Sequence, residues 1–136
     1  MRAIADTGFL VALARENDVH HAWARQVASR IRGAALTCDA VLAETVHHLQ
    51  SADYVLKMLA DESLTLDFEL VNEWPRLLTL AGKYADQKPD LADLCLIRMS
   101  ELHPEHKVLT TDRVDFTVYR RNGRETIPLV LPPRPR

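Results

Sequence analysis

Short apolar runs alternate with longer amphipathic stretches along this chain, and three of the apolar runs exit into aspartate. Ala3-Ile4-Ala5 leads into Asp6, Ala34 to Cys38 into Asp39, and Val108-Leu109 through Thr110-Thr111 into Asp112. Apolar runs this short, bounded by polar residues, predict buried strands. Between them apolar side chains recur at helical spacing. Phe9, Leu10 and Leu13 follow Asp6 or Thr7 as a cap. Asp18 opens a helix with Ala22, Trp23, Val27 and Ile31, which Gly33 breaks; Asp39 caps another carrying Val41, Leu42, Val46 and Leu49. A short helix is expected from Asp53 to Asp61, an edge strand at Leu64 to Leu66, and a helix from Val71 to Tyr84. Pro75 is tolerable there only in the first turn. Asp90 starts a strongly periodic helix with Leu91, Leu94, Ile97 and Leu102, ending before Pro104. A strand from Lys107, a turn at Asn122-Gly123 and a last strand from Thr126 to Leu131 complete the pattern.

Strands separated by helices predict an α/β domain: a central parallel β-sheet, right-handed crossovers and α-helices on both faces. Carboxylates at strand exits then share the crevice where such sheets bind ligands. The 136 residues suit one domain, 1–131, followed by a Pro/Arg tail, 132–136, expected to fray. The formal charge of −2 supplies no global basic field, so any nucleic-acid contact must use a local patch. Cys38 and Cys95 lie among apolar neighbours and read as buried free thiols, consistent with a reducing cytoplasm. Asp6 interrupts the N-terminus before any apolar run long enough for a signal peptide. The longest run, Gly8 to Ala14, is too short to cross a bilayer. A soluble, cytoplasmic protein with no membrane partner is expected.

Two acids sharpen the chemistry. Asp93 lies between Leu91-Ala92 and Leu94-Cys95, and Glu44 lies among Leu42, Ala43 and Val46, so neither is a cap if the helices hold. Unpaired buried charge is expensive. No Lys or Arg lies within a helical turn of Glu44, and Arg98 reaches Asp93 only from the next turn. If Asp6, Glu44, Asp93 and Asp112 converge, repulsion drives protons onto some of them unless a divalent cation intervenes. All-oxygen ligation suits Mg²⁺ or Mn²⁺, and acidic metal pockets commonly serve phosphodiester hydrolysis.

At these residues the chain resembles a PIN domain, and within that family the small VapC-type ribonuclease toxins. The matching pieces are Asp6 to Leu13, Asp18-Val19-His20-His21, Glu44, Asp90-Leu91-Ala92-Asp93, and Leu109 to Phe116 continuing to Tyr119-Arg120. The resemblance implies a Mg²⁺-dependent endoribonuclease with Asp6, Glu44, Asp93 and Asp112 catalytic and metal-binding, Asp115 sometimes added. Thr7 or Thr111 would orient a ligand or a water on the metal. It further implies an RNA substrate, a cognate antitoxin protein and a homodimer. Two positions depart from the family pattern: Gly8 replaces the usual Ser, and Leu94 replaces the second Ala of Ala-Asp-Ala.

Plainer readings compete. Asp6, Asp39, Asp90 and Asp112 also suit caps or turns, and capping is the preferred reading for Asp39 and Asp90. Asp115 also reads as a loop brace. Arg113, Arg120, Arg121 and Arg124 form the basic cluster nearest the acids; Arg113 and Arg120 are read as positioning substrate phosphates rather than as solvated surface. His20, His21, His47 and His48 read as solvated helix faces. Pro104 spoils the register a zinc site at His103 and His106 would need. A phosphoacceptor receiver is disfavoured because Asp6 stands alone, and an Asp-x-Asp phosphotransferase because residue 8 is Gly. A non-toxin PIN nuclease and a non-catalytic RNA- or metal-binding module remain the alternatives. The homodimer is expected on the helices at Val41 to Leu49 and Tyr54 to Leu59, which carry more apolar residues than one core stripe needs.

Overall fold

The computed structural model describes residues 1–135. The first strand, β1 (Ala3–Ala5), is buried on both faces, as its uninterrupted apolar sequence requires of a central parallel strand. It is followed by α1 (Thr7–Ala14), α2 (His21–Ala28), β2 (Ala35–Thr37), α3 (Asp39–Leu49), α4 (Asp53–Ala60), β3 (Leu64–Leu66) and α5 (Leu70–Lys83). After a 3₁₀ turn at Ala85–Gln87 come α6 (Leu91–Leu102), β4 (Lys107–Leu109), α7 (Arg113–Phe116), β5 (Arg120–Arg121), β6 (Glu125–Thr126) and β7 (Leu129–Val130). Five strands form one parallel sheet in the order β3-β2-β1-β4-β7, flanked by the helices. Ile4 sits opposite Leu36 on one side and Val108 on the other. The chain steps outward from β1 through β2 to β3, then resumes on the opposite side at β4. The switch point therefore falls between β1 and β4, and a crevice opens beyond their C-terminal ends.

Several expected boundaries move, each for a local reason. α2 starts at His21 rather than Asp18, because the Asp18 carboxylate first caps a turn, accepting from the His20 N–H at 2.8 Å. Asp39 is not the cap of α3. The extended backbone of Cys38 holds that position without a side-chain bond, and Asp39 is the first helical residue, exposed where the helix dipole still favours an acid. Pro75 lies in the second turn of α5, not the first. The carbonyl its missing N–H leaves without a partner belongs to Val71, a residue 76% exposed, so water can satisfy it. The expected last strand is two strands. Pro128 cannot donate to a ladder and divides β6, antiparallel to β5, from β7, parallel to β4. Arg121, one of the basic cluster nearest the acids, is buried, donating to the carbonyls of Ser100 (3.0 Å) and Pro104 (3.2 Å). In the tail, Pro132 is buried and its carbonyl accepts from Arg113, whereas Arg136 lies outside the described residues.

The core lies between β1, β4 and the helices packed on them. α6 carries it, with Ala92, Leu94 to Ile97, Met99 and Ser100 all buried. Cys38 and Cys95 are buried and free, as expected. Ion pairs fasten α5 to α6: Arg76 to Glu101 at 2.7 Å and Arg98 to Glu73 at 2.7 Å. Arg98 is thereby occupied away from Asp93. On the helices expected to form a dimer face, Val41 and Val55 are buried, most other apolar groups are partly buried, and Leu56 is the large exposed one. The exposed apolar groups gather instead on α5 and the start of α6, at Val71, Trp74, Leu78 and Leu91. Among the described residues no helix is long and apolar enough to cross a membrane.

Candidate metal centre

A cleft of about 300 Å³ opens beyond β1 and β4, and it is lined by Asp6, Asp18, Glu44, Asp90, Asp93 and Asp112. Thr7, Thr111, Gly8, Val11, His20 and His48 complete its wall. Four segments far apart in sequence thus deliver Asp6, Glu44, Asp93 and Asp112 to one place. Asp115 does not line the cleft, but an oxygen from each of Asp93, Asp112 and Asp115 lies within 4.8 Å of the other two. Asp39 faces a separate groove beside Cys38 and Cys95. A larger and mainly apolar cavity, about 400 Å³ between α1, α2 and α4, has only Lys57 and Asp61 as charged groups. The chemistry resides in the acidic cleft.

Capping and convergence turn out to be one device. Asp6 caps α1, its Oδ1 accepting from the Thr7 N–H at 2.6 Å. Asp90 caps α6 through the Asp93 N–H at 2.8 Å, and Asp112 caps α7 through the Asp115 N–H at 3.0 Å. Each cap fixes its carboxylate at a helix start, where the dipole partly offsets the gathered negative charge. The second oxygen of Asp6 accepts from the buried Thr110 hydroxyl at 2.6 Å, and the Asp112 N–H donates to the same hydroxyl at 3.0 Å. Glu44, one turn into α3, accepts from the Thr7 hydroxyl at 3.1 Å. Asp93 accepts from the Tyr119 hydroxyl at 2.8 Å. Tyr119 is fully buried, edge-on to Phe116 and Tyr84, so its hydroxyl is rigidly aimed.

No Lys or Arg lines the cleft among the described residues. The acids hold their protons accordingly. Burial raises Asp6 to about 6, against opposing hydrogen bonds from Thr110 and Thr7 and with further help from Asp112 and Asp90. Burial raises Asp93 to about 7, opposed by the Tyr119 hydrogen bond and reinforced by Asp90, Asp6 and Asp112. Glu44 is raised by burial and by the neighbouring Asp90 carboxylate, and Asp115 by burial and by Asp112. Oxygen donors gathered without a cation, and protonated above their ordinary range, are the donor set a hard divalent ion selects.

Two supporting contacts escaped the sequence reading. Thr110 holds Asp6, while Thr7 and Thr111 line the cleft; the strand's alternation puts neighbouring threonines on opposite faces, but which face meets Asp6 depends on register. Tyr119 was legible only as part of the late motif. Arg113 and Arg120 do not line the cleft. Arg113 donates to the Pro132 carbonyl at 2.7 Å, and Arg120 to the carbonyls of Thr117, Val118 and Tyr119 at the end of α7.

Both departures from the family pattern acquire a reason. Leu94 points to the other side of α6, into an apolar groove with Trp74, Leu77 and Leu78 of α5, and does not crowd the cleft. Gly8 is packed under Thr111: a methyl there would overlap the Thr111 hydroxyl oxygen and come within 3.2 Å of Thr111 Cβ. Gly8→Ala is therefore expected to lower stability by about 1–3 kcal/mol. Adding Thr111→Ala should recover much of that loss, read as a coupling in a urea-unfolding double-mutant cycle.

A parallel α/β sheet with six carboxylates in a cleft at its switch point presents a donor set suited to a hard divalent cation. The sequence matches the PIN domain over residues 3–121, and the chain belongs to that family. Compared with curated proteins individually, the chain matches none.

Proposed function

We propose that this protein is a Mg²⁺- or Mn²⁺-dependent endoribonuclease, and that it is the toxin half of a toxin–antitoxin pair acting in the cytoplasm. PIN domains are in general nucleases that hold divalent metals through acidic residues. The observation that carries the nuclease reading here is the convergence of Asp6, Glu44, Asp93 and Asp112 in one cleft without a counter-ion. Asp93, Asp112 and Asp115 would hold a cation between them, with Asp6 and Glu44 completing the oxygen set. A bound divalent ion supplies charge neutralisation at the phosphate and a more acidic water. Thr110 and Tyr119 lock Asp6 and Asp93 in place, so the site needs little reorganisation. The deciding experiment is cleavage of single-stranded RNA with Mg²⁺ or Mn²⁺, compared with the same reaction in chelator.

The toxin role rests on the VapC-like order of Asp6, Glu44, Asp93 and Asp112 and their flanking motifs. A short neighbouring gene encoding a DNA-binding protein, whose co-expression relieves growth arrest, would support it; growth without arrest on induction of the chain alone would count against it. The homodimer is proposed on the face of α5 and α6, where Val71, Trp74, Leu78 and Leu91 are exposed together. Trp74→Glu should shift the mass seen by light scattering from dimer to monomer. A monomeric wild type across a wide concentration range would refute the assembly.

A further inference from the structure

The cleft has a deficit that the nuclease reading leaves open. A nucleic-acid strand brings several phosphates, and cations held at the acids neutralise only those next to the reacting bond. The flanking phosphates need hydrogen-bond donors, which set register and orientation. Six of the lining side chains are carboxylates, which only accept when ionised. The Thr7 hydroxyl is committed to Glu44, which leaves the short hydroxyl of Thr111, packed over Gly8, as the other oxygen donor of the wall. Arg113 and Arg120, the expected phosphate ligands, donate to backbone carbonyls away from the lining. The nitrogen donors left in the wall are two imidazoles, His20 and His48.

His20 is braced at the cleft, and the exposed His48 stands at its rim. His20 follows the Asp18 turn, which fixes its backbone through the 2.8 Å bond to Asp18 Oδ1. Its ring is edge-on to Trp23 at 6.3 Å, and Trp23 is in turn edge-on to the buried Phe9 at 5.9 Å. His48 sits one helical turn beyond Glu44 on α3, so the two share a face. The Arg15 guanidinium donates to the His48 carbonyl and fastens the end of α3 beyond the end of α1. One imidazole therefore stands at the start of α2 and the other at the end of α3, on separate elements of the same acidic cleft.

We propose that His20 and His48 are the phosphate-contacting side chains of this site, donating hydrogen bonds to non-bridging oxygens of an RNA strand on either side of the scissile bond. The proposal rests on the nuclease reading and assigns the substrate grip that the acids cannot provide. A neutral imidazole has one N–H to give and keeps its second nitrogen as an acceptor, so it can serve without adding a fixed charge.

The test uses full-length protein and fluorescently labelled single-stranded RNA of mixed sequence. Binding is read by anisotropy with Ca²⁺, and steady-state cleavage with Mn²⁺. His48→Ala should weaken RNA binding and raise KM by roughly tenfold each, the scale of one hydrogen bond to a charged group, with kcat and melting temperature nearly unchanged. His48→Gln, which restores an N–H donor, should recover most of the loss. His20→Ala and His20→Asn should behave as the same kind of pair. His48 is exposed, so its variants answer even if His20→Ala weakens the fold. Unchanged binding and KM in the His48→Ala protein would overturn the proposal, as would a fall in kcat at constant KM. If the wild type binds RNA without cleaving it, the nuclease reading fails and the binding arm still decides this one; if it does neither, both fall.

Discussion

Asp93→Asn is expected to abolish metal-dependent RNA cleavage, by at least two orders of magnitude in kcat, while the metal-free protein melts at a higher temperature than the wild type. The two effects have one cause. Asp93 is held among Asp90, Asp6 and Asp112 with its carboxyl pushed up to about 7. An amide keeps the shape and can still accept from the Tyr119 hydroxyl, yet it removes a ligand charge and the repulsion with it. Asp6→Asn should also end cleavage, since it removes an acid buried at the centre of the same cleft. Asp39→Asn should change neither activity nor stability by more than about 0.5 kcal/mol, because Asp39 is exposed and lies outside the cleft. Cleavage rates and melting curves on the three variants separate a catalytic pocket from a set of structural caps. A folded Asp93→Asn protein that still cleaves would end the case for this pocket.

The second large effect is an opposite pH dependence of the metal-free and metal-loaded proteins. Asp6 and Asp93 are raised to about 6 and about 7 in the fold, above their unfolded values near 4. Between about pH 4 and pH 7 the folded chain therefore binds more protons than the unfolded one, so stability declines as pH rises. The nine-tenths-buried Asp6 alone corresponds to about 3 kcal/mol across its part of the window. Asp93 is partly exposed and adds less than its full shift implies. The metal-free protein should melt higher at pH 5 than at pH 8. Millimolar Mg²⁺ or Mn²⁺ should reverse the order, because the ligands must lose protons to bind and ligation at 100 times Kd adds about 2.7 kcal/mol. Melting temperatures at the two pH values, with and without Mn²⁺, check both signs. An absence of any Mn²⁺-induced shift at pH 8 would refute metal binding at this cleft.

What the sequence determined by itself is the order of elements and the acids they carry. Strand runs such as Ala3 to Ala5 are short and wholly apolar, and a helix as periodic as Leu91 to Leu102 has no other stable reading, because burial on two faces or on one stripe leaves its mark residue by residue. Asp93 and Glu44 stood out for the same reason: a charge inside an apolar helix has to be explained. Only the tertiary structure decided which side chains meet. Strand register brought Thr110 rather than Thr111 to Asp6, and α7 turned Tyr119 back onto Asp93. The packing of α5 on α6 took Arg98 away from Asp93 and left the acids without a cation. Arg113 and Arg120, basic and close in sequence, were turned to backbone carbonyls, while His20 and the solvent-facing His48 came to line the cleft. Periodicity records how much of each side chain is buried. Hydrogen-bond partners separated by a hundred residues, as Asp6 and Thr110 are, depend on crossovers and register that no local pattern encodes.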